Sequence, residues 1–266
     1  MKKTLAIFFL FIATTVSAQT DCRDVTHLMQ RLWKHETGSA AWKKVSDSVL
    51  SICPNAARLW GDRGQAYMFR GEFVEGMRSL SQAAKLDPYY FLGSRAWSRM
   101  HYLHDYKGAI SDLDTLENNV GGSYYYVTSM HMYILKGLSY EQLGNYQKAL
   151  ELYTIAIDQQ VKEKGENWVG SYDYLHRGIL RYKMEDYDGA IEDLTRQVTE
   201  YETLADTYYY RGLAYAAVGR KEEAKVDLLH SKELILGTGQ RRWEGVFVIP
   251  NEVYLSNVEN ALLKIY

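Results

Sequence analysis

One short pattern recurs along this chain at intervals suited to two helices and their turns, and it limits the fold more than any other feature. Its clearest copy runs Tyr133, Lys136-Gly137, Tyr140, Gly144, Tyr146, Ala149, Tyr153 and Ala156. The next gives Tyr174, Arg177-Gly178, Arg181, Tyr187, Ala190 and Leu194, and a third gives Tyr208, Arg211-Gly212, Tyr215, Gly219, Ala224 and Leu228. Upstream stand Trp60, Arg63-Gly64, Tyr67, Gly71, Phe73, Ala83 and Pro88, then a weaker copy with Trp97, Tyr106, Ala109 and Leu113. Apolar and aromatic residues recur at helical spacing within each copy, so each segment is expected to bury one stripe. Only 3 prolines interrupt the chain, which leaves long helices free to form.

Across residues 57–236 these marks resemble the tetratricopeptide repeat, in about five copies. The resemblance implies an all-α chain, a right-handed α-solenoid of stacked antiparallel helix pairs. Phe73, Tyr106, Tyr146 and Tyr187 stand 33, 40 and 41 residues apart, and Gly178 to Gly212 is 34. The long steps exceed the family period by about seven residues, close to two helical turns. Longer helices or looser loops at 117–123 and 161–171 are the two ways to absorb them. Gly64, Gly137, Gly178 and Gly212 fall inside first helices, where glycine costs about 1 kcal/mol against alanine. That cost makes sense where the second helix crosses too closely for a side chain. Gly71, Gly144 and Gly219 sit where first helices should stop in a left-handed residue. A single pair cannot bury its apolar face, so stability comes from stacking.

Arg177 precedes Asp193 by 16 residues, and Arg211 precedes Asp227 by the same 16. Two Arg–Asp pairs are expected, each joining the helices of one unit; the alternative is a basic ladder for an anion. The unit with Lys136 has Leu152, not an acid, at the equivalent place.

The start of the chain reads as a secretory signal peptide over 1–18. Lys2 and Lys3 precede an apolar run from Leu5 to Ala13, then Val16-Ser17-Ala18, with a cut expected after Ala18. The run is shorter than the ~20 residues that span a bilayer, so no transmembrane segment is expected in the mature chain. A periplasmic or secreted destination follows. Removing Lys2 and Lys3 moves the formal net charge from −2 to −4. With no basic stripe, nucleic acid is not an expected partner.

Residues 19–56 read as a degenerate helical hairpin. Asp21 caps a first helix with Val25, Met29 and Leu32 on one face; Ala41, Val45, Val49 and Ile52 line a second, ended by Pro54. The hairpin would bring Cys22 and Cys53 together, a disulfide in an oxidising compartment and otherwise two free thiols. Closing about 31 residues is worth about 3.5 kcal/mol. Residues 237–266 form a C-terminal extension. Gly237-Thr238-Gly239 breaks the last helix, 245–249 looks extended, and Asn251 opens a helix with Leu255, Val258, Leu262 and Ile265 on one side. That helix is either a cap on the last repeat or a docking arm.

Chemistry is sparse. No nucleophile elbow, phosphate loop or zinc-type cluster occurs, so no enzyme activity, cofactor or metal is expected. His101-x-x-His104-Asp105 places two imidazoles on one helical face but is read as solvated surface at a helix end. The family geometry implies a concave face made by first helices. Its expected partner-binding residues are Gln65, Met68, Ser98, His101, Ile134, Leu138, Glu141, Tyr172, Leu175, Ile179, Tyr182, Tyr209 and Leu213. Ile134, Leu138, Leu175, Ile179 and Leu213 either line an apolar groove for a peptide or helix or fill a tightly wound superhelix. The expected function is a non-catalytic protein-interaction scaffold of the bacterial cell envelope. The alternative is a carbohydrate-binding module using Tyr172, Tyr182, Tyr209 and Trp168.

Overall fold

The computed structural model describes residues 30, 32, 34–121, 126–127, 130–237 and 250–265. The expected signal peptide, the Asp21 helix cap, Val25, Met29, Cys22 and the extended stretch 245–249 lie outside the described residues. The chain divides into two compact units, Met1–Ala56 and Ala57–Tyr266.

In the first unit, helix α1 spans Ala40–Ile52. Ser39 caps it by accepting from the Trp42 amide at 3.2 Å. Its buried residues are Trp42, Ser46, Val49 and Leu50, while Ala41 and Ile52 are exposed and Val45 is half-buried. The expected stripe is therefore turned, because the large Trp42 ring takes the inward position that Ala41 was assigned. Cys53 follows the helix and is buried.

In the second unit, helices pair in order: α2 (Ala57–Phe69) with α3 (Phe73–Leu86), and α4 (Pro88–Leu103) with α5 (Tyr106–Val120). Then come α6 (Met132–Gln142) with α7 (Tyr146–Lys164), α8 (Asp173–Lys183) with α9 (Tyr187–Glu200), and α10 (Ala205–Ala217) with α11 (Lys221–Leu236). Each second helix packs on the next pair's first helix, and successive first helices touch one another. This is a helical solenoid whose first helices make the inner face. Helix α12 (Leu255–Ile265) packs on α11 and α10 through Val258, Ala261 and Leu262. It starts at Leu255 rather than at Asn251.

The helix crossings rest on missing side chains. A Cβ on Gly64 would lie 2.6 Å from Leu80 Cγ, one on Gly137 2.5 Å from Tyr153 Cε1, and one on Gly178 2.7 Å from Leu194 Cγ. On Gly212 it would meet Leu228 Cγ at 3.0 Å and the Ala224 carbonyl at 3.1 Å.

Every hairpin turn holds one left-handed residue two places before its second helix: Gly71, His104, Gly144, Glu185 and Gly219. Four share a closing bond, Glu72 N–H to Tyr67 O, Asn145 N–H to Tyr140 O, Asp186 N–H to Arg181 O and Arg220 N–H to Tyr215 O, at 2.8–2.9 Å. The His104 turn is one residue longer, and Asp105 N–H reaches Arg99 O at 2.9 Å.

The long steps are absorbed in different ways. Helix α5 runs on through Val120, so the expected loop at 117–123 begins late. A two-residue antiparallel ladder, β1 (Tyr126–Val127) with β2 (Met130–His131), follows it. Val127 fills the space over Gly93 of α4, where a Cβ would come within 2.7 Å of its Cγ2. The second excess goes into α7, at 19 residues the longest described helix, and a 3-10 turn at Glu166–Trp168. This brief ladder is the one sheet among the described residues of an otherwise helical fold.

Candidate functional site on the inner face

The first helices place the expected groove residues, and most face protein rather than solvent. Met68, Ser98, His101, Ile134, Leu138, Glu141, Leu175 and Ile179 are buried. Only Gln65, Tyr172, Tyr182, Tyr209 and Leu213 are half-buried. The apolar set Ile134, Leu138, Leu175 and Ile179 thus fills the winding, a correction to the open apolar groove. The reason is geometric: successive first helices touch, so side chains one step round from each crossing are shared between them.

His101 is likewise not solvated. Its ring packs on Trp97 at 4.5 Å between centroids, and burial holds its pKa down at about 4. His104 turns away at the left-handed cap, its ring stacked on Tyr106. Among the described residues no group of three or more His, Cys, Asp or Glu is placed to hold a metal.

The arginines are engaged by acids. Arg177 donates from Nε and Nη2 to Asp193 at 2.8 and 2.7 Å, and Arg211 does the same to Asp227 at 2.7 and 2.8 Å. A third fork, Arg95 to Asp112 at 2.8 and 2.6 Å, escaped the sequence reading because the longer His104 turn changes the spacing to 17. Lys136 finds its acids across the pair boundary, with Glu117 and Asp114 each at 2.6 Å. Lys162, Arg177, Arg181 and Arg196 border a cleft of about 440 Å³, and Asp158, Glu166 and Glu192 share its walls. Arg181 reaches Asp193 at 3.2 Å, and Arg196 pairs with Glu166. Arginines each paired with an acid do not make an anion ladder.

The tyrosines named for a sugar platform pack on one another. Tyr182 meets Tyr210 edge-on at 63°, Tyr209 meets Tyr210 at 81°, and Tyr172 tilts against Tyr201. Edge-to-face packing directs these rings at one another. Trp168 stands on the 3-10 turn at 64% exposure, with the Lys164 ammonium over its face.

One polar cluster on the inner face was not foreseen. Glu141, at the end of α6, is only 3% exposed. Its Oε2 accepts from Tyr153 OH at 2.8 Å, and its Oε1 accepts from Lys183 Nζ of α8 at 2.8 Å. Asn251 of the C-terminal extension completes the set. Its Nδ2 donates to Glu141 Oε1 at 3.0 Å, and its Oδ1 accepts from Lys183 Nζ at 2.6 Å. Tyr210 OH donates to the Asn251 carbonyl at 3.3 Å, and Val253 N–H donates to Asp206 Oδ1 at 3.2 Å. Val253 then enters the apolar cluster of Leu228, Val258, Ala261 and Leu262, flanked by Tyr209, Tyr210 and Leu213. A stretch of the chain itself, with neither helix nor strand over residues 252–254, therefore lies across α6, α8 and α10.

A helical solenoid whose inner face already grips a peptide segment belongs to the class of repeat proteins. The family profile for the tetratricopeptide repeat matches residues 131–159, the α6–α7 pair. Together with the fold, this makes the chain a tetratricopeptide-repeat protein. No curated protein matches it in sequence. Among solved structures, the APC/C hetero-tetramer Cut9-Hcn1 is 15% identical with a TM-score of 0.62, over 92% of this chain and 46% of that one. The chain thus spans about half the length of that relative. Pseudomonas aeruginosa pilF is 16% identical, TM-score 0.63, covering 82% of this chain and 94% of that chain. YrrB, described as a tetratricopeptide-repeat protein with an unusual peptide-binding site, is 13% identical, TM-score 0.53, over 74% and 93%. Identities this low speak to the fold alone. No helix among the described residues is long and apolar enough to cross a membrane.

Proposed function

We propose that this chain is a non-catalytic protein-interaction scaffold of the bacterial cell envelope, binding a segment of a partner protein on its inner face. One observation carries the reading: the face formed by α6, α8 and α10 holds Asn251 and Val253 through side-chain and backbone bonds together. A surface that orders one unstructured segment has donors, acceptors and an apolar slot in place for another. The relative described as having a peptide-binding site is in keeping with this use of the fold. Export through a leader ending at Ala18, and a Cys22–Cys53 bridge formed outside the cytoplasm, belong to the same proposal.

Photoreactive residues test it. Placed at Tyr182 or Tyr209 they should crosslink a partner protein in cells, whereas Val74 and Val226, at 73% and 65% exposure on second helices, should not. Crosslinks confined to Val74 and Val226 would overturn the reading. N-terminal sequencing of the mature protein should begin at Gln19, and intact mass under non-reducing conditions should show no alkylatable thiol. Retained Met1 or two alkylated cysteines would contradict export and the bridge respectively.

A further inference from the structure

The Glu141–Lys183 pair has the chemistry of a carboxamide reader. Glu141 Oε1 offers an acceptor and Lys183 Nζ offers a donor, 2.8 Å apart and facing the same way onto Asn251. A primary carboxamide presents a donor and an acceptor on a single carbon, so it satisfies both at once. A carboxylate in its place would keep the bond from Lys183 but set its charge against Glu141 with no donor between them, and an ammonium would do the reverse against Lys183. A hydroxyl would have to serve both through a single oxygen. The amide orientation is fixed by these neighbours, since a flip would set –NH2 against the ammonium and C=O against the carboxylate. Glu141 is held for the task, buried and anchored from behind by Tyr153 OH at 2.8 Å. Buried polar groups of this kind reject ligands that leave them unpaired.

The present occupant has the marks of a stand-in. Asn251 takes a left-handed backbone at φ 64°, a conformation that asparagine adopts more readily than other non-glycine residues. Glu252 and Val253 contribute no helix or strand bonds, and α12 begins only at the Tyr254 carbonyl, which accepts from Val258 N–H at 3.4 Å, so these two residues can leave the face without breaking secondary structure. Helix α12 beyond them has its own apolar anchor in Val258, Ala261 and Leu262.

Resting on the scaffold reading above, we infer that the inner face selects a partner segment bearing an asparagine two residues before an aliphatic side chain. The chain's own Asn251-Glu252-Val253 holds that place until such a segment displaces it. An internal occupant lowers the apparent affinity of an external one in proportion to its own occupancy.

Fluorescence anisotropy of a labelled Pro-Asn-Glu-Val-Tyr-Leu peptide on the full-length protein tests this. Asn251→Gly keeps the left-handed backbone and removes the carboxamide, so the peptide should bind this variant about 10-fold more tightly than wild type. Asn251→Asp, repelled by Glu141, reaches the same vacancy by a second route and should give the same gain. A peptide with aspartate for asparagine should lose binding to all three proteins. Equal affinity for the two peptides, or no gain in either variant with its helicity retained, overturns the inference. Inner-face crosslinks to a partner that are the same in wild type and both variants leave the scaffold reading standing and sink this one alone.

Discussion

Glu185 and His104 hold the left-handed backbone that glycine takes at the other three hairpin turns. A side chain there costs about 1–2 kcal/mol, partly returned by the lower chain entropy of a non-glycine residue when unfolded. Glu185→Gly should therefore raise the unfolding free energy by about 1 kcal/mol in urea denaturation, and an unchanged midpoint would contradict the strain. Protonation sets a second expectation. His101 and His131 are buried with pKa values near 4, below the 6.5 of a free imidazole. Their neutral forms favour the fold, so stability is full above pH 6.5 and falls as pH drops toward 4. Asp173, pushed up to about 6 by burial, works the other way: it favours the fold as pH falls through 6. The net loss from pH 7 to pH 5 should be about 2 kcal/mol, read by urea titration at each pH. A gain in stability over that interval would show that the histidines are not buried neutral.

At the scale of helices, the Arg–Asp forks tie first helix to second while glycine sets their distance. Asp193 is 1% exposed. Asp193→Ala leaves the Arg177 guanidinium buried without its fork and should cost about 3–5 kcal/mol, whereas Arg177→Met with Asp193→Leu should recover most of it. A double variant as unstable as the single one would mean that the pair does more than neutralise buried charge. These elements were largely legible, because Arg177, Gly178, Tyr187 and Asp193 carry the pattern within one stretch of 17 residues. Arg95–Asp112 was missed although its residues are of the same types, since His104 is not a glycine and hid the longer turn. Buried Gln160 and Gln197 were also illegible. Gln160 accepts from Tyr126 OH and Gly170 N–H and donates to Asp173, and Gln197 joins Leu175 N–H to the Ser171 carbonyl. Such bonds tie helix ends to loops whose paths no periodicity records.

Over the whole second unit, stability is a sum of neighbouring contacts, with α12 closing the apolar end of the last pair. Helical spacing marks which face of each first helix is apolar. It does not say whether the neighbouring first helix approaches closely enough to cover that face, which is why Leu138 and Ile179 were expected in a groove and lie in the core. The inner-face cluster was harder still, since Glu141 and Asn251 stand 110 residues apart with no motif linking them. Hydrogen–deuterium exchange on the full-length protein, with and without the Pro-Asn-Glu-Val-Tyr-Leu peptide, tests the central claim most directly. Binding should speed exchange at the protein's own Val253 amide, now bonded to Asp206, and slow it along α6, α8 and α10. Protection that instead appears on α7, α9 and α11, with Val253 unchanged, would contradict an inner face built to hold a partner's segment.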